Sequence, residues 1–203
     1  EGAKAARANE IAVFTSASEG FAKANLNATI DESFERFAPI MEAARNDAIP
    51  VRGYVSMVTD SPFDGETPPA EVARVAARLF AMGCYEISLG DTVGQGTPEK
   101  IDAMLAAVLN EVPASHLAGH YHDTAGRALQ NIDASLARGV RVFDAAVGGL
   151  GGCHYAPGAS GNVATERVAA HLAQAGFATR LDMNKIAEAA DFACGLRSGG
   201  DSA

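Results

Sequence analysis

Short apolar runs alternate with stretches of helical periodicity along nearly the whole chain, and this alternation restricts the fold more than any other feature. The runs at 10–14, 51–56, 85–89, 117–121 and 140–146 have strand length, and the residues between them repeat at helical spacing. Thr29 with Glu32 forms a capping-box pattern, followed by an apolar face of Phe34, Phe37, Ala38 and Met41. Thr67-Pro68 opens the next helix, with Val72, Val75, Ala76, Leu79 and Phe80 inward. Thr97-Pro98-Glu99 opens a third, with Ile101, Met104, Leu105, Val108 and Leu109 inward, and further helical patterns cover 125–138, 162–175 and 182–196. Parallel strands need long crossovers, so repeated βα units predict a parallel sheet with helices outside it.

Two architectures satisfy that pattern, an open doubly wound sheet and a closed (β/α)8 barrel. Arg52, Ser56, Glu86, Ser88, Asp91, His120, His122 and Asp144 lie in or at the ends of strands, several at the carboxyl ends. Barrel enzymes gather their chemistry there, which favours a TIM (β/α)8 barrel; open sheets also bind ligands at that edge. No Gly-x-Gly-x-x-Gly follows the first strand and no Walker-type loop is present, which weakens a dinucleotide or nucleotide reading. The pattern supplies about five βα units where a barrel has about eight, so the expectation is an incomplete barrel.

With 203 residues, 48% hydrophobic and 20% charged, the chain is long enough for one domain with a sizeable core. A formal net charge of -9 argues against nucleic acid or an anionic membrane surface as partner. Three cysteines, Cys84, Cys153 and Cys194, fit a reducing compartment better than a disulfide framework. No apolar run reaches the roughly 18 residues of a membrane span, and no signal-peptide pattern is visible.

Two stretches carry chemistry. His120-Tyr121-His122-Asp123-Thr124 ends a strand; alternation there puts both imidazoles on one face, where two nitrogens can hold one metal ion. A pair of hydrogen-bonded histidines is the competing account. The second stretch runs from Gly148 to Asn162 through Gly151-Gly152-Cys153-His154 and offers a thiol, a carboxamide and enough glycine for close backbone approach.

Together with Val51-Arg52-Gly53-Tyr54-Val55-Ser56, Gly83-Cys84-Tyr85-Glu86-Ile87-Ser88-Leu89-Gly90-Asp91-Thr92 and Ala164-Thr165-Glu166, these stretches resemble the 3-hydroxy-3-methylglutaryl-CoA lyases. The resemblance runs from Glu10 to about Leu196. The His-x-His strand is shared with isopropylmalate and homocitrate synthases, whereas the cysteine-bearing glycine loop is more particular to the lyases.

The resemblance implies a TIM barrel of the metal-dependent lyase/synthase superfamily and cleavage of 3-hydroxy-3-methylglutaryl-CoA to acetyl-CoA and acetoacetate. It implies a divalent cation, Mg²⁺ or Mn²⁺, held by His120, His122 and Asn162. Cys153, His120 and Asp91 become the catalytic candidates, with Arg52 and Glu166 contacting substrate or supporting the ligands. For Asn162 a helix cap, for Cys153 an inert buried thiol, for Asp91 a turn, for Arg52 a buried ion pair and for Glu166 a solvated helix position are the competing accounts. Cys84, Cys194, Asp123 and Asp144 are read as structural. The family's first strand carries an Arg-Asp pair that this sequence does not show, so residues 1–197 are expected to be the C-terminal part of the barrel domain, and 198–203 a disordered tail. The implied partners are an acyl-CoA substrate and either a second copy, as a dimer, or a chain supplying the remaining strands. The implied compartment is a bacterial cytoplasm or a mitochondrial matrix. A condensing synthase and a catalytically incompetent barrel fragment are the alternatives.

Overall fold

The computed structural model describes residues 2–152 and 161–198. In chain order the elements are α1 (Gly2–Ala5), β1 (Ile11–Ser16), α2 (Glu19–Leu26), α3 (Ile30–Asn46), β2 (Val51–Ser56), the short hairpin β3 (Asp60–Ser61) and β4 (Gly65–Glu66), α4 (Pro69–Met82), β5 (Glu86–Asp91), α5 (Pro98–Val108), β6 (Leu117–Tyr121), α6 (Ala128–Ala137), β7 (Val142–Asp144), α7 (Thr165–Gln174) and α8 (Met183–Ser198).

β1, β2, β5, β6 and β7 form one parallel sheet in that order. Each new strand is added beside the previous one, always on the same edge. A doubly wound sheet reverses its strand order at a switch point. None occurs here, so the sheet is a five-stranded arc of the barrel type, as expected.

Alternation splits every strand between two environments. Val13, Val51, Val55, Ile87, Leu89, Leu117 and Tyr121 point outward and are buried beneath the helices. They meet Phe34, Phe37 and Met41 of α3, Val72, Val75, Ala76 and Leu79 of α4, and Ile101, Met104, Leu105 and Val108 of α5. A fully buried leucine or isoleucine such as Leu79 or Ile87 contributes about 1.5–3 kcal/mol relative to exposure, so this layer carries most of the stability. Cys84 sits in it, and burial pushes its thiol up to about 11. Tyr121 is also buried, its hydroxyl paired with Ser135 of α6 at 2.7 Å. The opposite face carries Arg52, Tyr54, Ser56, Glu86, Ser88, His120 and Asp144 and forms the barrel interior.

The helix signals hold with local corrections. The Thr29 capping box is complete: the Thr29 side chain accepts from Glu32 N at 3.1 Å, and Glu32 accepts from Thr29 N at 2.7 Å. Ala38, expected on the buried face of α3, is exposed; Ser33 and Ala44 are buried there instead. The next helix begins at Pro69, with Pro68 as its extended N-cap, because a residue before proline avoids helical geometry. Thr67 instead donates its backbone N–H to the Thr59 carbonyl, closing the hairpin. The hairpin itself has no periodic signal and escapes sequence reading. Of the expected tail, only Ser198 lies within the described residues, and it ends α8. Among the described residues no helix is long and apolar enough to cross a membrane.

Candidate active site

The inner faces of β2, β5, β6 and β7 bring one polar assembly together, from Arg52 and Glu86 near the strand starts to His120 and Asp144 near the strand ends. In register, Arg52 stands beside Glu86 and His120 beside Asp144. Arg52 Nε donates to Glu86 Oε1 at 2.7 Å, and its Nη1 lies 2.8 Å and 3.1 Å from the two Asp144 oxygens. The same nitrogen contacts the Tyr54 hydroxyl. Ser88 donates to Asp144 Oδ2 at 2.7 Å, and His120 Nδ1 lies 3.2 Å from that oxygen. Asp144 thus gathers contacts from three other strands. Burial works against its charged form, but the bonds to His120 and Ser88 and the Arg52 guanidinium outweigh that and hold its carboxyl below the usual range. Arg52 is only 9% exposed; burial alone would lower its pKa, yet Asp144 and Tyr54 hold it above the ordinary arginine value. This is the buried ion-pair arrangement, one contact removed from His120.

His122 follows β6 on the same side as His120, with ring centroids 5.6 Å apart. It is 6% exposed, and burial with the neighbouring His120 pushes its pKa down to about 4. The ring is therefore neutral near pH 7, the form that can ligate a metal.

Asn162 reaches this place by chain threading. The 161–165 segment passes between the ends of β6 and β7: Asp123 N–H donates to the Gly161 carbonyl, Val163 N–H to Tyr121 and Thr165 N–H to Ala146. Asn162 pairs with His122 in an antiparallel bridge. The turn is tight enough that a Cβ on Gly161 would stand 1.9 Å from the Gly151 carbonyl oxygen, which excludes any side chain there. Asn162 Nδ2 donates to the Leu150 carbonyl at 2.9 Å. Among the described residues its Oδ1 has no partner, nor has His122 Nδ1, although both atoms are buried. Folded proteins satisfy nearly all their buried polar atoms; among the described residues Asp60 Oδ2, Thr124 Oγ1 and Asn131 Oδ1 share this state, but only His122 and Asn162 are bridge partners of each other.

Those two atoms test the implied metal. Two imidazoles and a carboxamide oxygen form a donor set that suits a divalent cation with open positions. Among the described residues no three His, Cys, Asp or Glu side chains converge to hold an ion. The fit is therefore to a partial ligand set, completed by groups other than these. A cavity of about 90 Å³ lies beside it, lined by Phe14, Tyr54, Val55, Ser56, Gly90, Thr92, His120 and His122. Two larger grooves, about 670 Å³ along α4 and α5 and about 510 Å³ beside β7 and α7, lie on the helix side, away from both histidines.

Asp91 does not join this assembly. It lies on the opposite face of β5 from Ser88 and is 1% exposed. Its Oδ1 accepts from Thr59 Oγ1 at 3.0 Å and Gly94 N at 3.1 Å, and its Oδ2 from Gly96 N at 2.9 Å. Burial raises its pKa against these bonds. This is the geometry of a turn anchor, with Gly94 at φ +67° and so close to Thr124 that a Cβ would stand 2.6 Å from its hydroxyl. Through its carbonyl Asp91 still touches the site, accepting the His122 N–H at 3.3 Å. Glu166, in the first turn of α7, accepts from Gly148 N at 3.2 Å and so ties down the base of the glycine loop. Cys153 and His154 lie outside the described residues. Asp123 is structural: it accepts from Ala128 N at the start of α6 and pairs with Arg167 of α7. His116 and His171 bind the Tyr85 carbonyl and Asp133 elsewhere. Asp144, read as structural from the sequence, falls on the strand face that carries His120 once β6 and β7 are set in register.

The chain belongs to the HMGL-like family, whose model matches residues 1–193. Among its relatives, hydroxymethylglutaryl-CoA lyase of Pseudomonas mevalonii is 51% identical over 188 residues, covering 93% of this chain and 62% of that protein. The crystal structure of the HMG-CoA lyase from Brucella melitensis superposes with a TM-score of 0.95 at 58% identity, covering 97% of this chain and 69% of that one. An HMG-CoA lyase from Acinetobacter baumannii, solved with coenzyme A and 3-methylmalate, gives 0.87 at 34% identity, covering 93% and 61%. The chain therefore spans 62% of the length of the Pseudomonas enzyme.

Proposed function

We propose that this protein is a divalent-metal-dependent carbon–carbon lyase that cleaves 3-hydroxy-3-methylglutaryl-CoA to acetyl-CoA and acetoacetate, with residues 1–197 forming the C-terminal part of its barrel domain. The observation that carries the reading is the meeting of His120, His122 and the unpartnered Asn162 oxygen at the carboxyl end of the sheet, in a family whose relatives are named for this reaction.

Cleavage requires the C3 hydroxyl to lose its proton, the C2–C3 electron pair to pass to the acetyl-CoA fragment as an enolate, and that enolate to gain a proton. A divalent cation, Mg²⁺ or Mn²⁺, would supply Lewis acidity there that lowers the hydroxyl pKa. His120, His122 and Asn162 are the residues that would hold it. One edge of the His120 ring faces Asp144, so Nε2 is the edge left for cation or substrate, and it serves one of them at a time. Cys153 is assigned to deliver the proton to the enolate from the glycine loop. Arg52 acts through Asp144, Asp91 by anchoring the loop after β5, and Glu166 by holding Gly148.

The test is acetoacetate release from 3-hydroxy-3-methylglutaryl-CoA with and without added Mg²⁺ or Mn²⁺. Metal-dependent release is the expected result. A folded, metal-replete protein that releases none overturns the proposal, and one that condenses acetyl-CoA with a 2-oxo acid belongs with the synthases.

A further inference from the structure

We infer that Asp144 is a positioning residue that fixes the tautomer of His120. The Asp144 carboxylate takes Arg52 on both oxygens and the Ser88 hydroxyl on Oδ2, so it stands as an acceptor, and it faces His120 Nδ1 at 3.2 Å. A neutral imidazole turned toward a carboxylate must present N–H, because a lone pair there would meet another lone pair. The proton therefore sits on Nδ1, and the Nε2 lone pair is left on the far edge of the ring.

The other groups around Asp144 make that choice rigid. Arg52 reaches both carboxylate oxygens, at 2.8 Å and 3.1 Å, and Ser88 donates to Oδ2 at 2.7 Å. Arg52 is itself held by Glu86 and Tyr54. The Tyr54 ring stands edge-on to His120, with centroids 6.5 Å apart, and limits the tilt of the imidazole. Contacts from β2, β5 and β6 thus converge on one β7 carboxylate. A carboxylate behind a histidine also raises the basicity of the remaining nitrogen, and loss of such a partner lowers metal affinity about 10–100-fold.

The experiment is a ¹⁵N–¹H two-bond correlation spectrum of the histidine rings in metal-free protein at about pH 8, where an ordinary imidazole is neutral. Wild-type His120 is expected as the Nδ1–H tautomer. Asp144→Asn keeps the shape; Arg52 stands nearer Oδ1 than Oδ2, so the amide oxygen takes the Oδ1 place and the amide nitrogen stands where Oδ2 stood, donating one hydrogen to His120 Nδ1 and the other to the Ser88 hydroxyl; the Nε2–H form should then appear. Ser88→Ala removes one donor and keeps the carboxylate, so the tautomer should stay. His171, paired with Asp133, is the internal reference and should not change in either variant. A wild-type His120 found as Nε2–H overturns the inference even if Asp144→Asn fails to fold. So does a tautomer unchanged in folded Asp144→Asn, or one lost equally in Ser88→Ala.

A second arm rests on the function proposed above: Mn²⁺ affinity should fall at least about tenfold in Asp144→Asn. A changed tautomer with unchanged Mn²⁺ affinity supports the assignment of Asp144 and removes His120 from the proposed ligand set, so the two failures read differently.

Discussion

His122 stores a protonation cost that is measurable without any metal. Its pKa lies near 4 in the folded protein against an ordinary 6.5, so between those values the unfolded chain binds more protons. Stability from this group is present above pH 6.5 and is lost as pH falls toward 4. Linkage gives a loss of about 2 kcal/mol between pH 7 and pH 5 in the metal-free protein. Urea unfolding at the two pH values measures it, and His122→Gln should flatten that part of the profile. With metal present, His122→Ala should weaken Mn²⁺ binding at least about tenfold; an unchanged titration removes His122 from the ligand set. Cys153→Ser should behave in the opposite way, lowering turnover strongly and leaving Mn²⁺ affinity nearly intact. Equal losses of both would contradict the role given to the thiol.

At the scale of elements, the capping box before α3 is a separable unit. Thr29→Ala removes an N-cap acceptor from the Glu32 amide and should cost about 1 kcal/mol, read as a shift in denaturation midpoint at constant m-value. The Asp91 anchor is costlier. Asp91→Ala strands three donors of a buried turn and should cost about 1–3 kcal/mol for the unsatisfied groups. If stability is untouched while turnover falls, Asp91 is a reacting group and not an anchor.

These elements also show what a sequence discloses. β2 and β6 were legible to the residue, because apolar period and flanking turns act locally. The start of α4 was misplaced because two prolines in succession shift the cap by one position. The placement of His120 and His122 on one side at the end of β6 is legible for the same local reason. The approach of Asn162 to His122 was suggested by likeness to the lyases, since its cause is a threading between strand ends that no local pattern records. Asp144 is read as structural from the sequence, and what it touches is not legible there, because Arg52 and Ser88 lie 92 and 56 residues away in the chain.

For the whole molecule the decisive property is a parallel arc with a polar inner face and two terminal strands, β1 and β7. Phe14 is 37% exposed and Val142 40%, and an unpaired strand edge invites another chain. Residues 1–203 produced alone should therefore associate as concentration rises, seen by sedimentation velocity; a strictly monomeric, folded species at high concentration would contradict this. The outer layer is sealed by comparison, and Cys84 lies within it with its thiol held up at about 11. Iodoacetamide reacts with thiolate, so it should pass over Cys84 in the native protein while remaining able to modify Cys194, exposed on α8. Carbamidomethylation of Cys84, read by peptide mapping, then becomes a clock for global opening of the protein, built in without a label or a mutation.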